Sequence, residues 1–142
     1  MVLVVDIGNT NITIGIYKKE ELKEMDAYAK AHGVELVPCI QTLAHIEQIF
    51  RWRDYSDICD CDDILICDEN KTYQLIDDMF STLEECFSTR IVNVGMDEAK
   101  NIGRGKYYYL HGNCDKKEIL LANKLVFEFV LNLKDEDLEL LL

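Results

Sequence analysis

Asp6 and the run Gly8-Asn9-Thr10-Asn11 set a carboxylate beside a tight turn rich in glycine and asparagine, residue types that together can hold a phosphorylated ligand. Successive backbone N–H groups of such a turn converge on phosphate oxygens, and Thr10 can add a hydroxyl. A carboxylate where a buried strand ends can hold Mg²⁺ against those phosphates, directly or through water. The plainer account is a hairpin turn closed by an Asx motif. Phosphate binding is favoured over it, because a charge ending a strand buried on both faces is costly unless the carboxylate has work to do.

Other residue types offer less. Cys59-Asp60-Cys61 with Cys67 makes a partial metal set, but no second Cys or His pair stands at a zinc-finger spacing, so ordinary thiols are the better account. His32, His45 and His111 hold no fixed relation to a cysteine or serine nucleophile, and each reads as a solvated side chain. Tyr107-Tyr108-Tyr109 beside Arg104 and Lys106 can stack a ligand, or simply cover a sheet edge.

The elements that must position these residues follow from periodicity. Met1 to Val5 is an apolar run ended by Asp6, and Ile12 to Tyr17 alternates as an antiparallel return strand. Leu22 to Tyr28 would supply a third strand and complete a meander. Ile40, Leu43, Ile46, Ile49 and Phe50 fall at helical intervals, which predicts a helix from about Gln41 to Trp52 with His45 on its polar face. The acidic stretch Asp54 to Asp63 reads as a loop, Ile64 to Cys67 as a buried strand, Thr72 to Phe87 as a helix, and Arg90 to Val94 as a strand closed by Gly95. A long apolar stripe predicts a helix over Lys116 to Leu133, and Asp135 would cap a final short turn. This order predicts an α/β protein, one domain over 1–142, with the ribonuclease H-like fold: a mixed sheet that starts as a three-strand antiparallel meander, with helices packed on it.

The segment Val2 to Tyr17, with its Asp-Ile-Gly-Asn-Thr-Asn core, resembles the N-terminus of the type III pantothenate kinases, members of the actin-like ATPase group. The resemblance is dense over about the first twenty residues, with weaker echoes at Ile64, at Arg90 to Gly95 and at Tyr107 to Phe129. It implies ATP-dependent phosphorylation of pantothenate, the entry to coenzyme A synthesis, with ATP, Mg²⁺ and a monovalent cation as cofactors. Asp6 would position Mg²⁺, Gly8, Asn9, Thr10 and Asn11 would cradle the phosphates, and Tyr109 would border the pantothenate pocket. Asn123 stands at the place of the family's general-base aspartate, where an amide cannot accept a proton, and Lys124 at that of its arginine. The resemblance covers the first lobe of that family alone. It therefore also implies a partial homologue that binds nucleotide, or a second-lobe partner or another copy of itself, without turnover.

The ribonuclease H-like fold also hosts nucleases, which supplies an alternative. Asp6, then Asp68 or Glu69, then Asp135 or Asp137 stand in the order of a two-metal Holliday-junction resolvase. With 27 acidic residues, chance fills such places easily. The net charge of -12 also repels nucleic acid and anionic membrane surfaces, which disfavours both as partners. A non-catalytic scaffold is the remaining alternative. The six cysteines would be disulfides in a secreted miniprotein, but the chain opens on a strand without a leader, so reduced thiols and a cytoplasmic location are expected. No apolar run reaches the roughly 20 residues that cross a bilayer.

Overall fold

The computed structural model describes residues 2–7, 12–96, 98–115, 119 and 139–141, with side chains from residue 18 onward except at 139–141. Two compact units divide the chain: Met1–Pro38 with Asp78–Thr89, and Cys39–Asp77 with Arg90–Leu142.

In the first unit, β1 (Val2–Ile7) pairs antiparallel with β2 (Ile12–Tyr17), in a register that sets Leu3 opposite Ile16 and Asp6 opposite Thr13. Asp6 thus lies within the strand and not beyond it. The predicted third strand is instead a helix, α1 (Lys19–Ala31). Its residues are mostly strong helix formers with little apolar alternation. Glu20 and Glu21 sit in its first turn and Lys30 in its last, matching the helix dipole, and Glu21 accepts the Lys18 N–H at 2.9 Å. Leu22 and Asp26, one turn apart, are its buried residues. Asp26 accepts the Ser88 N–H at 3.0 Å, which satisfies its buried carboxylate.

The second unit starts with an extended segment after Pro38. Cys39 bridges in parallel to Asn93 of β5 (Ile91–Asn93), and β5 also pairs in parallel with β6 (Glu139–Leu141). The ladder continues through Ile40 N–H to Asn93 O at 2.9 Å and Thr42 N–H to Val94 O at 3.1 Å. The predicted helix over Gln41 to Trp52 does not form; turns and bends fill 42–48, followed by a single 3-10 turn at Ile49–Arg51. Its backbone groups are engaged elsewhere: the Leu43 carbonyl accepts Leu65 N–H at 2.8 Å and Ile46 N–H donates to Asp63 O at 3.1 Å. Residues so committed cannot close i to i−4 helical bonds. The apolar spacing there records burial of the consecutive Thr42, Leu43 and Ala44 rather than a helical face.

The acidic stretch is not wholly loop. β3 (Cys59–Cys61) and β4 (Ile64–Leu65) form an antiparallel hairpin, with Asp62 at a positive φ of 49° in its turn. Helix α2 (Asn70–Cys86) follows and crosses from one unit to the other. Thr72, Ile76, Phe80 and Cys86 form its buried stripe, and the Thr72 hydroxyl donates to Ile66 O at 2.9 Å. A short helix, α3 (Lys106–His111), carries Tyr107, Tyr108 and Tyr109. The helix predicted over Lys116 to Leu133 and the turn at Asp135 lie outside the described residues.

The ribonuclease H-like expectation is therefore corrected. Among the described residues the opening sheet has two strands and not a three-strand meander, because the α1 sequence folds as a helix, and β1 and β2 pair with each other.

Candidate active site

Parallel neighbours direct the segments leaving their C-terminal ends to one side of the sheet, which is where open α/β and barrel folds collect chemistry. Here those segments are 41–46, after the extended strand at Cys39, and 94–98, after β5. Their bases are locked together: the Thr42 hydroxyl, fully buried, adds a second donor to Val94 O at 2.8 Å. Gly95, at φ +53°, packs so closely that a Cβ there would lie 2.5 Å from Gln41 Oε1 and 2.6 Å from Ile40 O. Only glycine fits, and its N–H is held by Asn93 Oδ1 at 3.0 Å.

Each segment carries a titratable side chain on a left-handed backbone, His45 at φ 59° and Glu98 at φ 55°. Non-glycine residues rarely adopt this conformation, and where they do the strain concentrates at functional sites. The two side chains face one another, His45 Nε2 standing 3.6 Å from Glu98 Oε2. On its other side His45 meets Asp63, whose Oδ2 accepts the His45 backbone N–H at 3.0 Å and lies 3.5 Å from Nδ1. The His45 ring thus stands between two carboxylates, Asp63 on its Nδ1 side and Glu98 on its Nε2 side. Glu98 is the open member, with 61% of its side chain exposed against 31% for His45 and 34% for Asp63. Asp63, His45 and Glu98 thus form a line of carboxylate, imidazole and carboxylate that ends at solvent, an arrangement suited to giving and taking a proton. Asp97, the residue before Glu98, lies outside the described residues.

The line of Asp63, His45 and Glu98 includes none of the candidate site residues expected from the sequence. Asp6 lies in β1 opposite Thr13, while Gly8, Asn9, Thr10 and Asn11 are outside the described residues, as are Asn123, Lys124, Asp135 and Asp137. Tyr109 projects from α3 and is 86% exposed. The carboxylates of the nuclease alternative are engaged in pairs of their own: Asp68 with His111 Nε2 at 2.9 Å, and Glu69 with Lys106 Nζ at 2.7 Å. Among the described residues no group of three His, Cys, Asp or Glu side chains is arranged to hold a metal ion. Cys59, Cys61 and Cys67 are free thiols; burial first, then the neighbouring aspartates, pushes Cys61 up to about 11 and Cys67 up to about 12. Such thiols are poor nucleophiles and poor metal ligands. Among the described residues, no helix is long and apolar enough to cross a membrane.

His45, Asp63 and Glu98 were not picked out from sequence. The helical spacing puts His45 on the polar face of a helix that does not form, and the strand signal of Arg90 to Val94 stops at Gly95. A signal was available: Asp97-Glu98 directly follows a buried strand and a glycine turn, the same grounds that drew notice to Asp6.

The glycosyl hydrolase family 20 catalytic domain is the family whose model matches this chain, over residues 6–128. A solved structure, the crystal structure of a beta-N-acetylhexosaminidase, is similar with a TM-score of 0.62 and 21% identity. The similarity covers 78% of this chain and 28% of that one, so the chain spans under a third of the other's length. No curated protein matches. These findings overturn the pantothenate kinase resemblance, and the kinase and nuclease functions with it. The Asp-Ile-Gly-Asn-Thr-Asn hairpin is a short local motif, whereas the family match runs through both units. They replace the ribonuclease H-like fold with a fragment of a TIM-barrel-like glycosidase fold, which accounts for the parallel pairing of Cys39, β5 and β6.

Proposed function

The chain belongs to glycosyl hydrolase family 20, and from that premise we propose that Glu98 is the general acid and base of glycoside hydrolysis, acting on a terminal N-acetylhexosamine. The observation that supports this most is the facing pair His45 and Glu98, both in left-handed conformations, 3.6 Å apart in the segments that follow the parallel bridge of Cys39 to Asn93. The N-acetylhexosaminide substrate class comes from the similar solved structure.

Family 20 is among the glycosidases that use the substrate's own group as nucleophile. The acetamido carbonyl oxygen bonds to the anomeric carbon while the bond to the leaving oxygen breaks, and Glu98 gives that oxygen its proton. Water then attacks the anomeric carbon, Glu98 takes the water's proton, and the acetamido group is released. Glu98 needs to change protonation state twice per turnover. His45 flanks the acid from the side at 3.6 Å, and Asp63, which accepts the His45 backbone N–H, holds the loop that carries it.

The test is steady-state hydrolysis of an N-acetyl-β-hexosaminide with an alkyl leaving group and one with a nitrophenyl leaving group. Glu98→Gln should lower kcat on the alkyl substrate by about 10²- to 10⁴-fold, the usual contribution of a general acid. The nitrophenyl substrate, whose leaving group needs no proton, should suffer far less. Equal losses on both, or no hydrolysis by the wild-type chain, would refute the assignment.

A further inference from the structure

Asp60 is a buried carboxylate, 7% exposed, that the proposed chemistry does not use. Both of its oxygens are engaged by one segment: Oδ2 accepts the Gly103 N–H at 2.9 Å and Oδ1 accepts the Tyr107 N–H at 2.7 Å. That segment is the far end of the loop that carries Glu98. Its near end is fastened at Val94 and Gly95 by Thr42 and Asn93, leaving Glu98 between two anchors.

The residues after Asp60 extend the same grip. The Cys61 thiol donates to Asn101 O at 3.2 Å, and Asp62 Oδ2 accepts from Asn101 Nδ2 at 3.0 Å. Asp63 then turns to the other loop and holds His45. The fit against β3 is close enough to dictate sequence: a Cβ on Gly105 would lie 1.9 Å from the Asp60 carbonyl oxygen. Between the anchors, Ala99 and Ile102 are buried, so the loop has little room to drift.

We infer that Asp60 is a positioning residue for Glu98: with Asp62 and Asp63, it makes the β3–β4 turn a clamp that fixes the Glu98 loop and the His45 loop relative to each other. This rests on the assignment of Glu98 as the acid. A carboxylate is suited to the task because two ionic hydrogen bonds to backbone N–H groups are short, strong and directional. An asparagine of the same shape keeps one acceptor and turns an NH₂ group against the second N–H.

The test compares Asp60→Asn with wild type in the full 142-residue chain by two readouts. In the first, kcat on the alkyl-leaving-group substrate should fall by about 100-fold, the effect of a displacement near 1 Å, with KM within about two-fold. The nitrophenyl substrate should lose far less, because only proton delivery is misplaced. A role confined to capping α3 would lower both equally and would overturn the inference. In the second, amide hydrogen exchange across 98–104 should quicken at least about tenfold, and unchanged exchange there overturns the inference whether or not the chain hydrolyses anything. Absence of hydrolysis by the wild type would refute the acid assignment alone, since exchange still decides the clamp. Should Asp60→Asn fail to fold, Asn101→Ala removes the clamp's exposed contact with Asp62 and should shift both readouts the same way, by a smaller factor. No shift in either would overturn the inference.

Discussion

Replacing Glu98 by glycine and by alanine separates strain from chemistry at one position. Both variants lose the carboxylate, and with it the 3.6 Å contact to His45, which at 61% exposure of Glu98 is worth no more than about 1 kcal/mol. They differ in the backbone. At φ 55° a side chain with a Cβ pays about 1–2 kcal/mol that glycine does not. Glycine gives back about 0.5–1 kcal/mol through the greater freedom of the unfolded chain. The glycine variant should therefore be the more stable of the two by about 0.5–1 kcal/mol, which in a chain of 142 residues raises Tm by about 2–4 °C. Ala27→Gly, on the exposed side of α1, is the control: with ordinary helical geometry it should lose about 1 kcal/mol. Urea unfolding with equal m values, followed by circular dichroism, measures all three. If Glu98→Gly is no more stable than Glu98→Ala, the backbone at 98 stores no strain, and the strongest local mark of the site disappears.

Thr42→Val keeps the buried shape and the backbone donor to Val94 while deleting the hydroxyl bond, so urea unfolding should show a loss of about 1 kcal/mol. A loss below about 0.3 kcal/mol would mean that the hydroxyl does not fasten the two strands. Iodoacetamide at pH 8 should label exposed Cys39 and leave Cys67 untouched, read by peptide mass spectrometry, since burial holds the Cys67 thiol at about 12. Because that value is raised above the ordinary 9.0, the folded state keeps the proton. Its stabilising effect is complete below about pH 9 and fades as pH climbs toward 12, so Cys67→Ala should flatten the alkaline limb of the stability curve, whereas an unaltered limb would contradict it.

Much of the backbone was legible from residue types. The Val2 to Tyr17 hairpin follows from a continuous apolar run and an alternating one, and α2 from the helical spacing of Leu75, Ile76, Met79, Phe80 and Leu83, of which Ile76 and Phe80 are buried. The segment 41–46 was not legible, because Leu43 and Ile46 carry a helical spacing while their backbone groups bond to Leu65 and Asp63, far along the chain. Helix α1 was missed for the opposite reason: its signal lies in Glu20, Glu21 and Lys30 at its ends and not in an apolar stripe. The helical spacing over 41–46 is what hides the site. His45 looked solvated on an imagined helix face, and its pairing with Glu98 joins residues 53 positions apart through a left-handed backbone that composition does not encode. Resemblance failed differently, by resting on one short hairpin whose turn chemistry many folds can share.

Acidic residues on a strongly anionic chain are usually interchangeable ornaments of its solvated surface. Between 57 and 63 they are not, for Asp57 serves Lys71, Asp60 serves Gly103 and Tyr107, Asp62 serves Asn101, and Asp63 serves His45. Charge in this stretch works as spelling: the order of the letters carries the meaning, and sliding the stretch by one residue would deliver every carboxylate to the wrong address while leaving composition, net charge and isoelectric point unchanged.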